Sequence, residues 1–221
     1  MAAYPLFFAP EDYAALAPTV LEPGVLLTPL LTEGACARLL EAADARQEEP
    51  GFRPPNSMHE TGTTLASIGL EHAVDELVRG PLAALVPEHF AAVGGDALDH
   101  HHSYFVDYGA DGDQELGFHV DDSEVTLNLC LGTSFSGAEL VLLGRRCDLH
   151  RQSPIDPSET LEIEHEIGSC VLHFGRHRHR VDPIRRGRRR NLIAWLRSSA
   201  YRARPATECP PWCGLYAGDA R

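Results

Sequence analysis

Apolar positions recur at helical spacing in the first part of the chain. Thr32, a good N-cap, precedes Cys36, Leu39, Leu40 and Ala43, which predicts a helix ending before Pro50. Val74, Leu77 and Val78 give a second helix over Glu71–Arg79. Pro81 suits the first turn of a third, with Leu82, Leu85 and Val86 inside and Gly94-Gly95 as its stop. Val25–Leu27 reads as a strand. Residues 1–23 hold four prolines and several aromatics, and read as an arm with a short helix over Glu11–Leu16. Residues 51–64 have loop composition.

From Ala97 the period changes to two. His102–Tyr108, Leu116–Asp121, Val125–Leu131, Gly137–Leu143, Thr160–Glu164, Ser169–His173 and Arg189–Arg197 read as strands. A turn at Ala110–Asp113, a polar insertion over 144–159 and a hairpin within 176–190 separate some of them. In the strand over 125–131, Thr126, Asn128 and Cys130 alternate with leucine and valine. The last strand is apolar on both faces, so it needs cover from a second sheet and from the helices. Helices followed by about eight short strands predict an α+β domain: a double-sheet jelly roll with N-terminal helices packed on one sheet. Such a sandwich has an open mouth where inward-facing side chains can hold a ligand.

A chain of 221 residues with 43% hydrophobic residues is sufficient for one domain with a substantial core. The expected division is an arm over 1–23, one domain over 24–213 and a tail over 214–221. No run approaches the ~20 apolar residues of a membrane span, and the first residues lack the pattern of a secretory signal. The expectation is a cytoplasmic protein without a membrane partner. A net charge of −13 argues against general nucleic-acid binding. The positive charge is uneven: there is no lysine, and eight of the arginines lie within 176–190.

The chemistry concentrates between Gly117 and Arg189. In an extended strand, residues two apart share a face, so His119 and Asp121 point the same way. A second imidazole from a later strand would complete a two-histidine, one-carboxylate set with vacant positions, the usual site of non-haem Fe(II) oxygenases. His179 and His177 share strand parity, and both are available. Arg189, ten residues after His179, is placed to grip a carboxylate in bidentate fashion.

Several segments carry a resemblance to a known family. They are His119–Gly132, Phe135–Leu140, Val171–Gly175, His179 and Gly187–Arg197, with Pro54–Met58 and Ile68–Leu70 before them and Cys209-Pro210 after. Across most of residues 24–213 the chain resembles the 2-oxoglutarate/Fe(II)-dependent oxygenases of the prolyl and lysyl hydroxylase branch. It is most similar to the 2-oxoglutarate and iron-dependent oxygenase domain-containing proteins. The resemblance implies the double-stranded β-helix fold, iron held by His119, Asp121 and His179, and Arg189 on the far carboxylate of 2-oxoglutarate. The ten-residue interval to Arg189 is the family's own and selects His179 over His177. Tyr108, then Asn128 and Thr126, are candidates for completing the co-substrate site. The reaction implied is C–H hydroxylation with O2, releasing succinate and CO2, with ascorbate as an accessory reductant. An aspartate at 121 argues against halogenation, which needs a small residue there. The substrate is a prolyl or lysyl side chain of a peptide, or a small molecule. The alternative is a non-catalytic double-stranded β-helix protein that binds a metal or an acid.

Other residues draw plainer readings. His100–His102 precedes a strand and belongs on the rim. His173 supports the site by hydrogen bonding. Cys209 and Cys213 lack two further ligands and read as structural thiols, like the other four cysteines. The arginines at 176, 178, 180, 185 and 186, if they face the mouth, favour a substrate with acidic groups.

Overall fold

The computed structural model describes residues 6–47, 62–132 and 134–216. The strand β1 (Thr19–Glu22) and β2 (Val25–Pro29) precede the helix α1 (Glu33–Gln47). Then come β3 (Thr63–Thr64), α2 (Glu71–Arg79), α3 (Leu85–Phe90), β4 (His100–Tyr108), β5 (Leu116–His119), β6 (Val125–Gly132), β7 (Phe135–Gly137) and β8 (Leu140–Arg145). The chain continues through β9 (Thr160–Ile163), β10 (Ser169–Phe174), β11 (His177–Val181), β12 (Ile184–Gly187), β13 (Arg189–Arg197) and α4 (Ser199–Arg202). A seven-stranded sheet runs β1-β2-β10-β6-β13-β4-β3, and a four-stranded sheet β5-β11-β8-β9 faces it. Strands β12 and β7 form a separate ribbon. All pairings between these strands are antiparallel, and the arrangement is the expected α+β jelly roll.

The period of two sorts side chains between two cores. On β6, Leu127, Leu129 and Leu131 face a core shared with Cys36, Leu39, Leu77 and Phe90 of the helical layer. Leu192, Ala194 and Leu196 of β13 and Leu172 of β10 join them. Val106, Ile193, Trp195 and Val171 lie on the opposite face, in a core with Leu140, Leu142 and Val181 of the smaller sheet. The parity that sends leucines to the helices sends Thr126, Asn128, His173, Arg189 and Asn191 between the sheets. The last strand is thus covered on both sides, as its two apolar faces require.

Some elements differ from their sequence reading. Residues 19–22, assigned to the arm, form the edge strand β1. Among the described residues of the arm, the only helical turn is the 3-10 turn Pro10–Asp12. Thr63 and Thr64, read as loop, pair with Phe105 and Tyr104. The segment Pro54–Met58 lies outside the described residues. His100–His102 opens β4 rather than preceding it, with only His100 exposed. The helix over Glu71–Arg79 matches, and Thr32 caps α1 by accepting the Ala35 N–H at 3.3 Å. No helix of the described residues is long and apolar enough to cross a membrane.

The two sheets are joined tightly at Gly175, between β10 and β11. Its carbonyl accepts the Asp121 N–H at 2.9 Å and its N–H donates to the Glu124 carbonyl at 3.1 Å. A Cβ at Gly175 would sit 2.0 Å from the Ser123 carbonyl oxygen, whereas one at Gly117 would meet nothing within 4 Å. Gly175→Ala should therefore destabilise the fold by about 1–3 kcal/mol, the usual range for forced overpacking. Gly117→Ala should stay within about 0.5 kcal/mol of the parent. Urea unfolding of the two variants checks this, and equal midpoints would contradict the close approach.

Candidate functional site

The antiparallel pair β5–β11 places His119 directly opposite His179. Their ring centroids are 4.0 Å apart. Asp121 is two residues beyond the end of β5, so shared strand parity does not position it. The bond from its N–H to Gly175 does. Its carboxylate lies 3.6 Å from His119 Nε2 and 3.7 Å from His179 Nε2. The three ligand atoms lie within 4.8 Å of one another.

Each imidazole is oriented by its own backbone. His119 Nδ1 is 2.7 Å from the Gly117 carbonyl oxygen, and His179 Nδ1 is 2.9 Å from that of His177. A carbonyl only accepts, so both protons sit on Nδ1 and both Nε2 lone pairs are bare toward Asp121. Asp121 is buried and accepts a hydrogen bond from the Thr126 hydroxyl at 2.6 Å; Ser123 lies 2.8 Å from that hydroxyl. Burial alone would raise the carboxyl, but His179 and His119 outweigh it and hold Asp121 below the usual carboxylate range. Burial pushes His179 down to about 3, reinforced by His119. His119 is raised: burial opposes its charge, but Asp121 prevails.

His177 does not join this group. It is buried with Nε2 3.2 Å from Glu22. His179 stands opposite His119, the last residue of β5, so His177 lies beyond the end of that strand. Against β8, His177 pairs with Arg145 and His179 with Leu142 across a register irregularity. The extra residue on β8 falls beside Gly144, whose φ of 82° suits a bulge. His173 is next to the group, but its expected hydrogen bond to it is not made. Its Nδ1 donates to the Phe174 carbonyl, and its buried Nε2 is 4.0 Å from Asp121.

Arg189 is 1% exposed. Its Nε donates to Asn191 Oδ1 at 3.0 Å and Nη2 to His165 Nδ1 at 2.5 Å; Nη1 bonds the Ala138 carbonyl. Tyr108 and Phe135 each have a ring centroid 5.8 Å from the guanidinium carbon. Burial raises the Tyr108 phenol, and Arg189 opposes it. Thr126, which holds Asp121, and Asn128, which holds Asn191 beside Arg189, share one face of β6, so the ligand group and the guanidinium line one interior. No carboxylate of the described residues lies within ion-pair distance of Arg189. An unpaired buried cation is costly, so this position fits an anionic ligand.

The other two candidates for the co-substrate site are engaged elsewhere. Thr126 serves Asp121, and Asn128 accepts from Asn191 Nδ2 at 2.5 Å. Sequence reasoning missed His165, which sits after β9 in a stretch read as a strand end. It is buried, and its pKa lies well below the usual value, through burial first and then Arg189. Because neutral His165 accepts at Nδ1, its proton is on Nε2, which has no partner among the described residues. The signal was weak: a lone histidine between two glutamates.

The basic cluster is also different from its expectation. Arg178 is buried and donates to the Leu143 and Ser153 carbonyls. Arg180 pairs with Asp182 at 2.6 Å, Arg176 with Asp148 and Arg185 with Glu139. It does not form an uncompensated basic rim. Arg188 and Arg190, on the strand face opposite Arg189, pair with Asp107 and Asp44.

No profile of a known protein family matches the chain. Over 199 residues it is 40% identical to the 2-oxoglutarate and iron-dependent oxygenase domain-containing protein CP2 of Arabidopsis thaliana, covering 87% of this chain and 50% of that protein. It is 36% identical to the 2-oxoglutarate and iron-dependent oxygenase domain-containing protein 2 of Homo sapiens, over 87% of this chain and 53% of that one. The chain spans about half the length of the curated relatives it matches. Among solved structures, it resembles an oxidoreductase of the 2OG-Fe(II) oxygenase family from Burkholderia pseudomallei, with a TM-score of 0.57 and 16% identity over 80% of this chain and 86% of that one. A prolyl-4-hydroxylase of Pseudomonas putida gives a TM-score of 0.52 and 18% identity over 79% and 92%. The structures support the double-stranded β-helix fold. Taken with the identity to the curated relatives, the chain belongs to the 2-oxoglutarate/Fe(II)-dependent oxygenases.

Proposed function

We propose that this chain is an Fe(II)- and 2-oxoglutarate-dependent dioxygenase that hydroxylates a C–H bond and releases succinate and CO2. One observation carries the reading. A His119–Asp121–His179 group, with both imidazole Nε2 atoms turned toward the carboxylate, and a buried guanidinium with no carboxylate partner among the described residues occupy the same interior. Iron suits the first, because two imidazole nitrogens and one carboxylate leave positions open. The far carboxylate of 2-oxoglutarate suits the second. With O2, iron and 2-oxoglutarate supply the oxidising power when bound.

The protein's own groups orient and exclude. The Gly117 and His177 carbonyls fix the two ring tautomers, and the Thr126 hydroxyl holds one carboxylate oxygen of Asp121. Such supporting bonds are worth about 10–100-fold in metal affinity. Arg189 offers the carboxylate a directed charge, held in place by Asn191, Ala138 and His165. His165 Nε2–H is the further donor that one guanidinium leaves wanting, and Tyr108 closes the aromatic wall. Ile193, Trp195 and Leu140 keep the inter-sheet space apolar. The substrate class is a peptidyl prolyl or lysyl side chain or a small molecule. Because Arg176, Arg180 and Arg185 are paired with carboxylates and Arg178 is buried on carbonyls, acidic flanks are not a requirement.

The assignment is tested with purified protein, Fe(II), ascorbate and 2-oxoglutarate, reading substrate-uncoupled succinate. His119→Ala, Asp121→Ala and His179→Ala should each abolish it, and His177→Ala should retain most of it. Activity in His179→Ala with loss in His177→Ala would overturn the ligand set. Absence of succinate from the parent would favour the non-catalytic alternative.

Arg189→Ala should raise the apparent KM for 2-oxoglutarate greatly, by an amount equivalent to about 2–5 kcal/mol for a buried charge pair losing one partner. Arg188→Ala should leave it within a few-fold. Similar effects from both would mean that no single directed contact holds the acid.

A further inference from the structure

The chain contains a second group of metal-ligating side chains, outside the interior just described. Cys147 and His150 lie in the insertion after β8. Cys209 and Cys213 lie after α4, more than fifty residues later. Sequence spacing separates the two halves, Cys147-x-x-His150 and Cys209-x-x-x-Cys213, and gives neither of them enough ligands. The fold brings them together, with all four ligand atoms within 4.8 Å of one another.

The distances discriminate between metals and other chemistry. His150 Nδ1 is 3.4 Å from Cys147 Sγ, 3.4 Å from Cys209 Sγ and 3.5 Å from Cys213 Sγ. Cys147 Sγ and Cys209 Sγ are 3.8 Å apart. A tetrahedral zinc ion with Zn–S near 2.3 Å and Zn–N near 2.05 Å sets S···S at roughly 3.8 Å and S···N at roughly 3.6 Å. The four-ligand arrangement matches both edges. A disulfide needs about 2.05 Å between sulfurs, so these thiols are not paired. A two-iron cluster spreads its ligands over two metals and would hold the pairs further apart.

The surroundings match the charge of such a centre. Zinc with three thiolates and one neutral imidazole carries one net negative charge. Two buried guanidiniums, Arg146 and Arg178, adjoin a single carboxylate, Glu159, at 2.9 Å and 4.0 Å. Arg146 Nη1 also donates to the Arg145 carbonyl at 2.9 Å, and Cys213 Sγ is 3.9 Å from that same oxygen, so a guanidinium stands beside the sulfur cluster. The Cys147 N–H is also 3.4 Å from Cys213 Sγ, a contact of the kind that supports a ligating thiolate.

We propose that Cys147, His150, Cys209 and Cys213 bind a structural zinc ion in a closed tetrahedral site. All four positions are filled by protein, so the site is not catalytic. Its function is to pin the C-terminal segment after α4 to the end of β8. Residues 203–208 between α4 and Cys209 form no strand or helix. The pinned segment helps to line a groove of about 530 Å³ that reaches Asp121: Pro205, Pro210 and Trp212 line it together with Asp121, Ser123 and Arg176.

The test uses the full chain expressed with zinc and measured for metal after exchange against a chelator. About one zinc ion per chain should remain, as expected for a closed structural site. The same amount should remain in His119→Ala/Asp121→Ala, which removes the proposed iron ligands. Cys209→Ser/Cys213→Ser should lose it at least ten-fold. Cobalt substitution in His119→Ala/Asp121→Ala should show thiolate-to-metal charge transfer and tetrahedral ligand-field bands. If the cysteine variant does not fold, zinc content and the cobalt spectrum of His119→Ala/Asp121→Ala decide the matter alone. Zinc-free protein from zinc-supplemented cells, zinc lost together with the iron ligands, or an intact mass two hydrogens short would overturn the site.

Discussion

A guanidinium inside a β-sandwich constrains everything around it. Arg189 has five N–H donors, cannot shed its charge and has almost no access to water. The chain answers the donors with Asn191, the Ala138 carbonyl and His165, and arranges two aromatic faces against the cation. Among the described residues, no carboxylate answers the charge. Asn128 is drawn in to hold Asn191, and His165 is kept neutral. These polar groups occupy one parity of β6 and β13, and the opposite parity supplies the leucines that bind the helices. The site and the core are therefore alternate residues of the same strands. Neither could shift register without destroying the other.

The metal group depends on the same economy of backbone. His119 and His179 are opposite residues of one ladder, and each ring is locked by a carbonyl two residues earlier on its own strand. Asp121 comes from outside the ladder. It is placed by a bond to Gly175, where the approach of Ser123 excludes a side chain. Strand parity put His119 and Asp121 together, and they do lie together, but for a reason that does not hold, because β5 ends before Asp121. Spacing alone left His177 and His179 equal, and the resemblance favoured His179. The physical distinction is that β5 ends at His119, directly opposite His179, a register feature that no pattern of apolar residues reveals.

Legibility followed locality. Helix α2 and strands β6 and β13 were readable because their apolar period is carried by consecutive residues. The arginines were not. In sequence, residues 176–190 form a block of positive charge. In the fold, Arg180 meets the nearby Asp182, but the other carboxylate partners come from distant elements: Asp148, Glu139, Asp107 and Asp44 are 28 to 146 residues away from the arginines they meet. Thr126 and Asn128 were placed on the correct face, but their protein partners, Asp121 and Asn191, were not foreseen, since a side chain's orientation does not specify what it meets. His165 and the Cys147–His150 pair belong to the same class, invisible until the chain folds.

The two groups of ligands are not independent in the architecture. Strand β8 lies between them. Leu142 pairs with His179 of the metal group, and Arg145, three residues on, pairs with His177 just before the chain reaches Cys147. A closed metal site at that end would fix the position of β8 relative to the C-terminal segment, and hence the wall of the groove beside Asp121. It would do so without contributing an atom to catalysis. A β-sandwich whose mouth is built from loops has little hydrophobic area there with which to hold them. Four ligands on one ion supply the constraint with few residues, and the bulge at Gly144 absorbs the register between the two ends of the strand.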